Sequence, residues 1–144
     1  MADILMQVDI DSPRPHVLNG LTTHSGITGW WTARGDVPSG IGQTMKLSFR
    51  PHAPLPFDLT VEESNAEHIV WRPVSFPPHW IGTRISWDLA DGSDRAGTRV
   101  LLQHTNWRDG DPQLPPAAYT WGQLLGVLKA FCETGKPQPL FAGE

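Results

Sequence analysis

Histidine is the side chain whose ordinary titration falls nearest neutral pH, so the surroundings of each histidine decide whether this chain can do proton chemistry. Six are present, His16, His24, His52, His68, His79 and His104. None sits in an HExxH motif, none forms a close pair, and none has a cysteine partner, so no metal ligand is assigned. His104 stands apart. In "TRVLLQHTNW", residues 98–107, strand alternation continues the inward face of Val100 and Leu102 into His104, with Asn106 next on the same side. Thr83 and Trp87 fall on the inner face of the adjoining strand and bring a hydroxyl and an indole N–H within reach. Such an imidazole is either a core group hydrogen-bonded to its neighbours, the polar contact for a bound ligand, or a general acid or base.

The remaining reactive types lead nowhere comparable. Cys132 is the only cysteine; it adjoins Phe131 on an apolar helical face, where a thiol is inert. Its solitude excludes an internal disulfide framework and suits a reducing cytoplasm. Asp109 and Asp111 in "RDGDPQLPP" read as a solvated turn, while Arg84 and Asp88 lie on a strand's outer face as solvated or cross-strand pairs. "GIGQTM" at Gly40 lacks the third glycine of a dinucleotide loop, and neither a P-loop nor GxSxG occurs. No catalytic residue and no cofactor is assigned.

A second unusual feature is "GITGWWTARGD", Gly26 to Asp36, where two tryptophans adjoin. If the chain emerges from the glycine-rich turn extended, neighbouring side chains point to opposite faces, and Trp30 and Trp31 cannot both enter one core. One ring would then pack under a helix or line a cavity.

These residues must be positioned by surrounding elements. "ILMQVDID", Ile4 to Asp11, alternates Ile4, Met6, Val8 and Ile10 against a mostly polar face and predicts the first strand. Ser12 as N-cap and Pro13 at the first helical position predict a short helix carrying Val17, Leu18 and Leu21. Gly26 and Gly29 limit a second helix to a turn or two. Strand patterns follow: Met45, Leu47 and Phe49; Phe57, Leu59 and Val61; Ile69 and Trp71; then "WIGTRISWDL", residues 80–89, with Ile81, Thr83, Ile85, Trp87 and Leu89 inward and Trp80 outward. "DGSDRAG", Asp91 to Gly97, predicts a hairpin connection into the strand that bears His104. From Trp121 the period changes to that of a helix, with Leu124, Leu125, Leu128 and Phe131 on one face, started by Pro115 and Pro116 and ended by Gly135 and Pro137. Gly122 and Gly126 either let that helix approach the sheet or leave room for a ligand.

At 144 residues one domain is expected. Fifteen acidic against eleven scattered basic residues, a net charge of -4, give no basic stripe to follow phosphates, so nucleic acid is not an expected partner. No apolar run approaches a membrane span, and the N-terminus, with Asp3 early and no basic leader, does not read as a secretory signal. The expected location is the cytoplasm.

Several of these segments together resemble the START-like or SRPBCC superfamily, and within it proteins similar to the C-terminal domain of the activator of Hsp90 ATPase. They are "DSPRPHVLNGLT", the pair Trp30 and Trp31, "VEESNAEHIVW" ending at Trp71, "WIGTRISWDL", "TRVLLQHTNW" and Trp121. The resemblance spans nearly the whole chain and implies an α+β helix-grip fold: a curved antiparallel sheet around a long C-terminal helix at about 115–134, with two short helices after the first strand and a cavity between sheet and helix. That fold hosts lipid carriers, receptors, cyclases and co-chaperones, so it does not by itself supply a function.

The leading expectation is therefore a module that binds a small, apolar, aromatic molecule. Its wall would comprise Trp31, Met45, Phe49, Phe57, Leu59, Trp71, Thr83, Ile85, Trp87, Leu102, His104, Trp121 and Leu125. Two alternatives stand beside it: a polyketide cyclase or hydratase-like enzyme using His104, and a co-chaperone-like interaction domain.

Overall fold

The computed structural model describes residues 2–92 and 97–143. Strand β1 (Ala2–Ile10) leads into helices α1 (Arg14–Thr22) and α2 (His24–Trp30). Six strands follow: β2 (Gly35–Asp36), β3 (Thr44–Leu47), β4 (Phe57–Ser64), β5 (His68–Pro73), β6 (Arg84–Asp91) and β7 (Thr98–Trp107). Helix α3 (Leu114–Thr134) closes the order. All seven strands form one antiparallel sheet ordered β1-β7-β6-β5-β4-β3-β2. The sheet curves around α3, the expected helix-grip arrangement. In the connection expected over Asp91–Gly97, residues 93–96 lie outside the described residues; the Gly92 N–H donates to the Gly97 carbonyl at 3.1 Å.

The alternation read from sequence sets the registers. Ile85 pairs with His104, Trp87 with Leu102 and Leu89 with Val100, so each apolar face is continued across the β6–β7 ladder. On α3 the buried stripe is Trp121, Leu124, Leu125 and Leu128. The helix stops where Gly135 takes the left-handed conformation, φ 73°, and its N–H reaches the Phe131 carbonyl. All seven tryptophans are buried.

Four local expectations are corrected. The doubled tryptophan is not extended: Trp30 is the last residue of α2 and Trp31 its C-cap. Consecutive helical residues are splayed by about 100° rather than 180°, so both rings enter the core and stack on each other, centroids 5.5 Å apart. Helix α1 begins at Arg14 with Pro13 at the cap position, and the Ser12 hydroxyl lies 3.3 Å from His16 Nδ1 instead of capping. The strand expected from Trp80 begins only at Arg84, because Pro78–Trp80 forms a 3-10 turn and Gly82 adopts φ 90°; Trp80 consequently turns inward, and Ile81, expected inward, is exposed. Finally, Asn106 does not follow His104 to the inside. It sits at φ 68° in an irregularity of the β1–β7 pairing, its N–H on the Asp3 carboxylate, and the extra residue sends Trp107 inward instead.

Glycines do set helix approach, though not where expected. A Cβ on Gly26 would lie 2.2 Å from the Asn19 carbonyl and one on Gly29 would lie 2.4 Å from the Phe131 ring, so α2 packs on α1 and α3 only because both are glycine. Gly122 and Gly126 are exposed, with nothing nearer than Met6 Sδ at 4.0 Å, and neither admits the sheet nor makes room for a ligand. Beyond α3 the chain turns back along α2: the N–H groups of Gln138, Leu140 and Phe141 donate to the carbonyls of Gly29, Trp30 and Trp31.

Candidate functional site

The N-terminal half of α3 does not fill the space beneath it. Its inner face there carries Gln113, Ala117 and Thr120 ahead of Trp121 and Leu124, small or polar groups where the C-terminal half carries Leu125 and Leu128. The result is a cavity of about 330 Å3. Trp31 and Trp121 form its inner wall; Phe49, His52 and Ala53 after β3, with Phe57 at the start of β4, form one side; His79 and Trp80 of the 3-10 turn form another. Pro116 also faces it, and Phe141 of the returning tail completes the lining. The cavity opens beside His52 and Gln113, which are exposed.

Of the residues expected at a binding wall, Trp31, Phe49, Phe57 and Trp121 are brought together here. Trp31 is the hinge between core and cavity: its ring stacks on Trp71 at 5.8 Å and meets Trp121 at 5.3 Å and Phe49 at 5.7 Å. Leu59, Ile85, Trp87, Leu102 and Leu125 are packed in the core behind it. Met45 and Trp71 are core residues that also border a small recess of about 190 Å3 on the far side. Thr83 borders an outer groove shared with His79, Arg108 and Asp111.

His104 is enclosed rather than presented. Its Nδ1 accepts from the Trp121 indole N–H at 3.1 Å, and its Nε2 lies 2.9 Å from Thr83 Oγ1, which itself donates to the Trp80 carbonyl at 2.6 Å. One assignment satisfies every partner: Nδ1 bare, Nε2–H donating to Thr83. Burial, with a smaller contribution from the nearby His79, pushes its titration down to about 3, so the ring is neutral. The indole that reaches it is Trp121, where Trp87 was expected. Among the described residues the Trp87 N–H has no hydrogen-bond partner, and its ring stands edge-on to Trp30, Trp71 and Trp121.

The titratable groups on the cavity wall are His52 and His79. Burial lowers the His79 titration, and the Asp111 carboxylate opposes that shift. Asp111 is not the solvated turn residue expected: it is buried, accepts the Gln113 N–H at 2.9 Å and lies 4.0 Å from Arg108. Asp88 on the outer face does make the expected cross-strand contacts, to His68 and Gln103. Burial first, then Glu133, pushes the Cys132 thiol up to about 11, well away from thiolate reactivity. Among the described residues no three His, Cys, Asp or Glu side chains gather as metal ligands.

The residues that sequence reasoning missed are His52, Ala53, His79, Trp80, Gln113, Pro116, Ala117, Thr120, Leu124 as a liner, and Phe141. Part of this was within reach, since Gln113, Ala117, Thr120, Trp121 and Leu124 fall on one helical stripe. The loop and tail residues carried no such signal.

No family model and no curated protein sequence matches the chain. Solved structures do. The arrangement is that of a helix-grip protein, with the Bet v 1-like fold of the SRPBCC superfamily. Among its structural neighbours is Aha1 of Colwellia psychrerythraea, solved in solution as a dimer, with 26% identity and a TM-score of 0.83 over 94% of this chain and 99% of that one. A protein of Staphylococcus saprophyticus shares 21% identity at a TM-score of 0.76, over 95% of this chain and 96% of that one. DynU16 of the dynemicin biosynthetic locus shares 19% identity at a TM-score of 0.74; 94% of this chain matches 48% of that one.

Proposed function

We propose that the chain binds a small, planar, apolar molecule in the cavity at the N-terminal end of α3. The observation that carries this reading is the lining itself: Trp31, Phe49, Phe57, Trp80, Trp121 and Phe141 surround about 330 Å3 with few polar groups. That volume lies in the range of small-molecule pockets, and aromatic walls favour ring-on-ring contacts. The enzyme reading loses its base, because both nitrogens of His104 are engaged and the ring is fully enclosed. An interaction role has its support in the likeness to Aha1 over nearly the full length of both chains. The exposed large apolar side chains among the described residues, Leu5, Ile41, Leu55, Val74, Ile81 and Tyr119, come from separate segments of the chain.

The test is a thermal-shift screen of planar apolar compounds. A ligand at about 100 times its dissociation constant stabilises the folded state by about 2.7 kcal/mol, a rise of several degrees for a domain of this size. Indole emission changes with it, since Trp31, Trp80 and Trp121 line the site. Ala117→Phe fills the cavity from α3 and abolishes both responses while the fold persists. A screen in which no compound moves the midpoint or the emission refutes the reading.

A further inference from the structure

The chemistry of the cavity's few polar groups defines one end of the ligand; this rests on the cavity being the binding site. Besides the tryptophan indoles, four polar side chains among the described residues line it, His52, His79, Gln113 and Thr120, and no described lysine, arginine, aspartate or glutamate does. Helix α3 starts at this mouth, yet offers little to an anion. The Leu114 N–H is bonded to the Asp111 carbonyl, Pro115 and Pro116 have no N–H, and the Ala117 N–H is bonded to the Gln113 carbonyl. The Thr120 hydroxyl donates to the Pro116 carbonyl. A ligand carboxylate would leave water here without a fixed cation to meet it, which is costly.

The two histidines differ. His52 is exposed and meets the Phe141 ring edge-on at 5.6 Å. His79 is half-buried between the cavity and the outer groove, with its ring against Trp80 and Trp107. Asp111, Arg108 and Asp109 share the outer groove with it, His104 lies behind, and Gln113, the residue before α3, borders both cavity and groove. Arg108 is exposed and set against Asp111. The Asp111 carboxylate on that side disfavours a second anion, and a neutral imidazole has one bare nitrogen to accept a proton donor.

We infer that the ligand is a neutral aromatic bearing a hydroxyl, with the hydroxyl donating to the imidazole of His79 at the cavity mouth. His79 is then the residue that selects hydroxylated over plain aromatic ligands, and the site discriminates against acids of the same shape.

Equilibrium dialysis at about pH 7.5 with naphthalene, 2-naphthol and 2-naphthoate tests this. The expected order is 2-naphthol tighter than naphthalene by about three- to tenfold, the net worth of one hydrogen bond, with 2-naphthoate weakest. His79→Phe keeps the ring contacts with Trp80 and Trp107, so the variant folds, and whatever its affinity for naphthalene the preference for 2-naphthol disappears. His52→Phe, also in the wall, shifts the affinities for naphthalene and 2-naphthol together, so their ratio is retained. The inference fails if 2-naphthoate binds tightest, if His79→Phe retains the preference, or if His52→Phe removes it. If naphthalene binds and 2-naphthol gains nothing, the inference falls while the aromatic cavity stands. If none of the three binds, both fall.

Discussion

A buried histidine is stable only in the protonation state that its partners accept. His104 meets a donor at Nδ1, the Trp121 indole, so a second ring proton has no acceptor there. Its folded-state titration is depressed to about 3 from the ordinary 6.5. Between those values the unfolded chain holds a proton on His104 that the folded chain does not. Stability therefore rises with pH across this window, is fully present above it, and is lost as pH falls through it. At about pH 5 the loss amounts to about 2 kcal/mol. Replacing His104 by Leu is expected to remove this component while stranding the Trp121 N–H, at a cost of about 1–3 kcal/mol at neutral pH. Urea melts of both proteins at about pH 7.5 and pH 5 check it: the stability gap between them narrows at the lower pH. A gap that stays constant would show that His104 takes its proton equally in both states.

At the scale of elements, the contact between helices depends on absent side chains. The Cβ that Gly26→Ala adds would meet backbone, the Asn19 carbonyl and Gly20 Cα, which cannot move without unwinding α1. The atoms nearest the Cβ of Gly29→Ala would belong to the half-buried Phe131 ring. Gly29→Ala is therefore expected to cost about 1–3 kcal/mol, recovered in part by the additional change Phe131→Leu, whereas Gly26→Ala costs more and has no single-residue rescue. Denaturant unfolding of the three variants measures both. The same contact explains why α2 holds Trp30 and Trp31 so firmly: the Trp30 indole donates to the Gly20 carbonyl at 2.7 Å, and the tail after α3 bonds to Gly29, Trp30 and Trp31. Helix, doubled tryptophan and tail form one unit that ends in the cavity wall.

At the scale of the molecule, one aromatic core runs through the fold. Buried rings run continuously from Trp87 through Trp30, Trp31 and Trp121 to Trp80, with successive centroids between 5.3 and 6.2 Å apart. With no ligand cluster among the described residues, a chelator is expected to leave the thermal midpoint unchanged. A scanning-calorimetry midpoint that drops in chelator would overturn this. Of the described helices, none is long and apolar enough to cross a membrane.

The sequence by itself determined the element order, the inward faces of the strands and the buried stripe of α3, because period-2 and period-3.6 patterns report burial residue by residue. It also placed His104 inside, since strand alternation carries through to it from Val100 and Leu102. Only the tertiary structure decided how Trp30 and Trp31 share one core, because that turned on helical rather than extended geometry at a short glycine-flanked segment. It also turned Trp80 inward through a 3-10 turn, exchanged Asn106 for Trp107 through a bulge, and chose Trp121 over Trp87 as the partner of His104. The cavity was illegible for the same physical reason. Its wall is assembled from a helix face, two loops and a returning tail, and local periodicity does not report contacts between segments so distant along the chain.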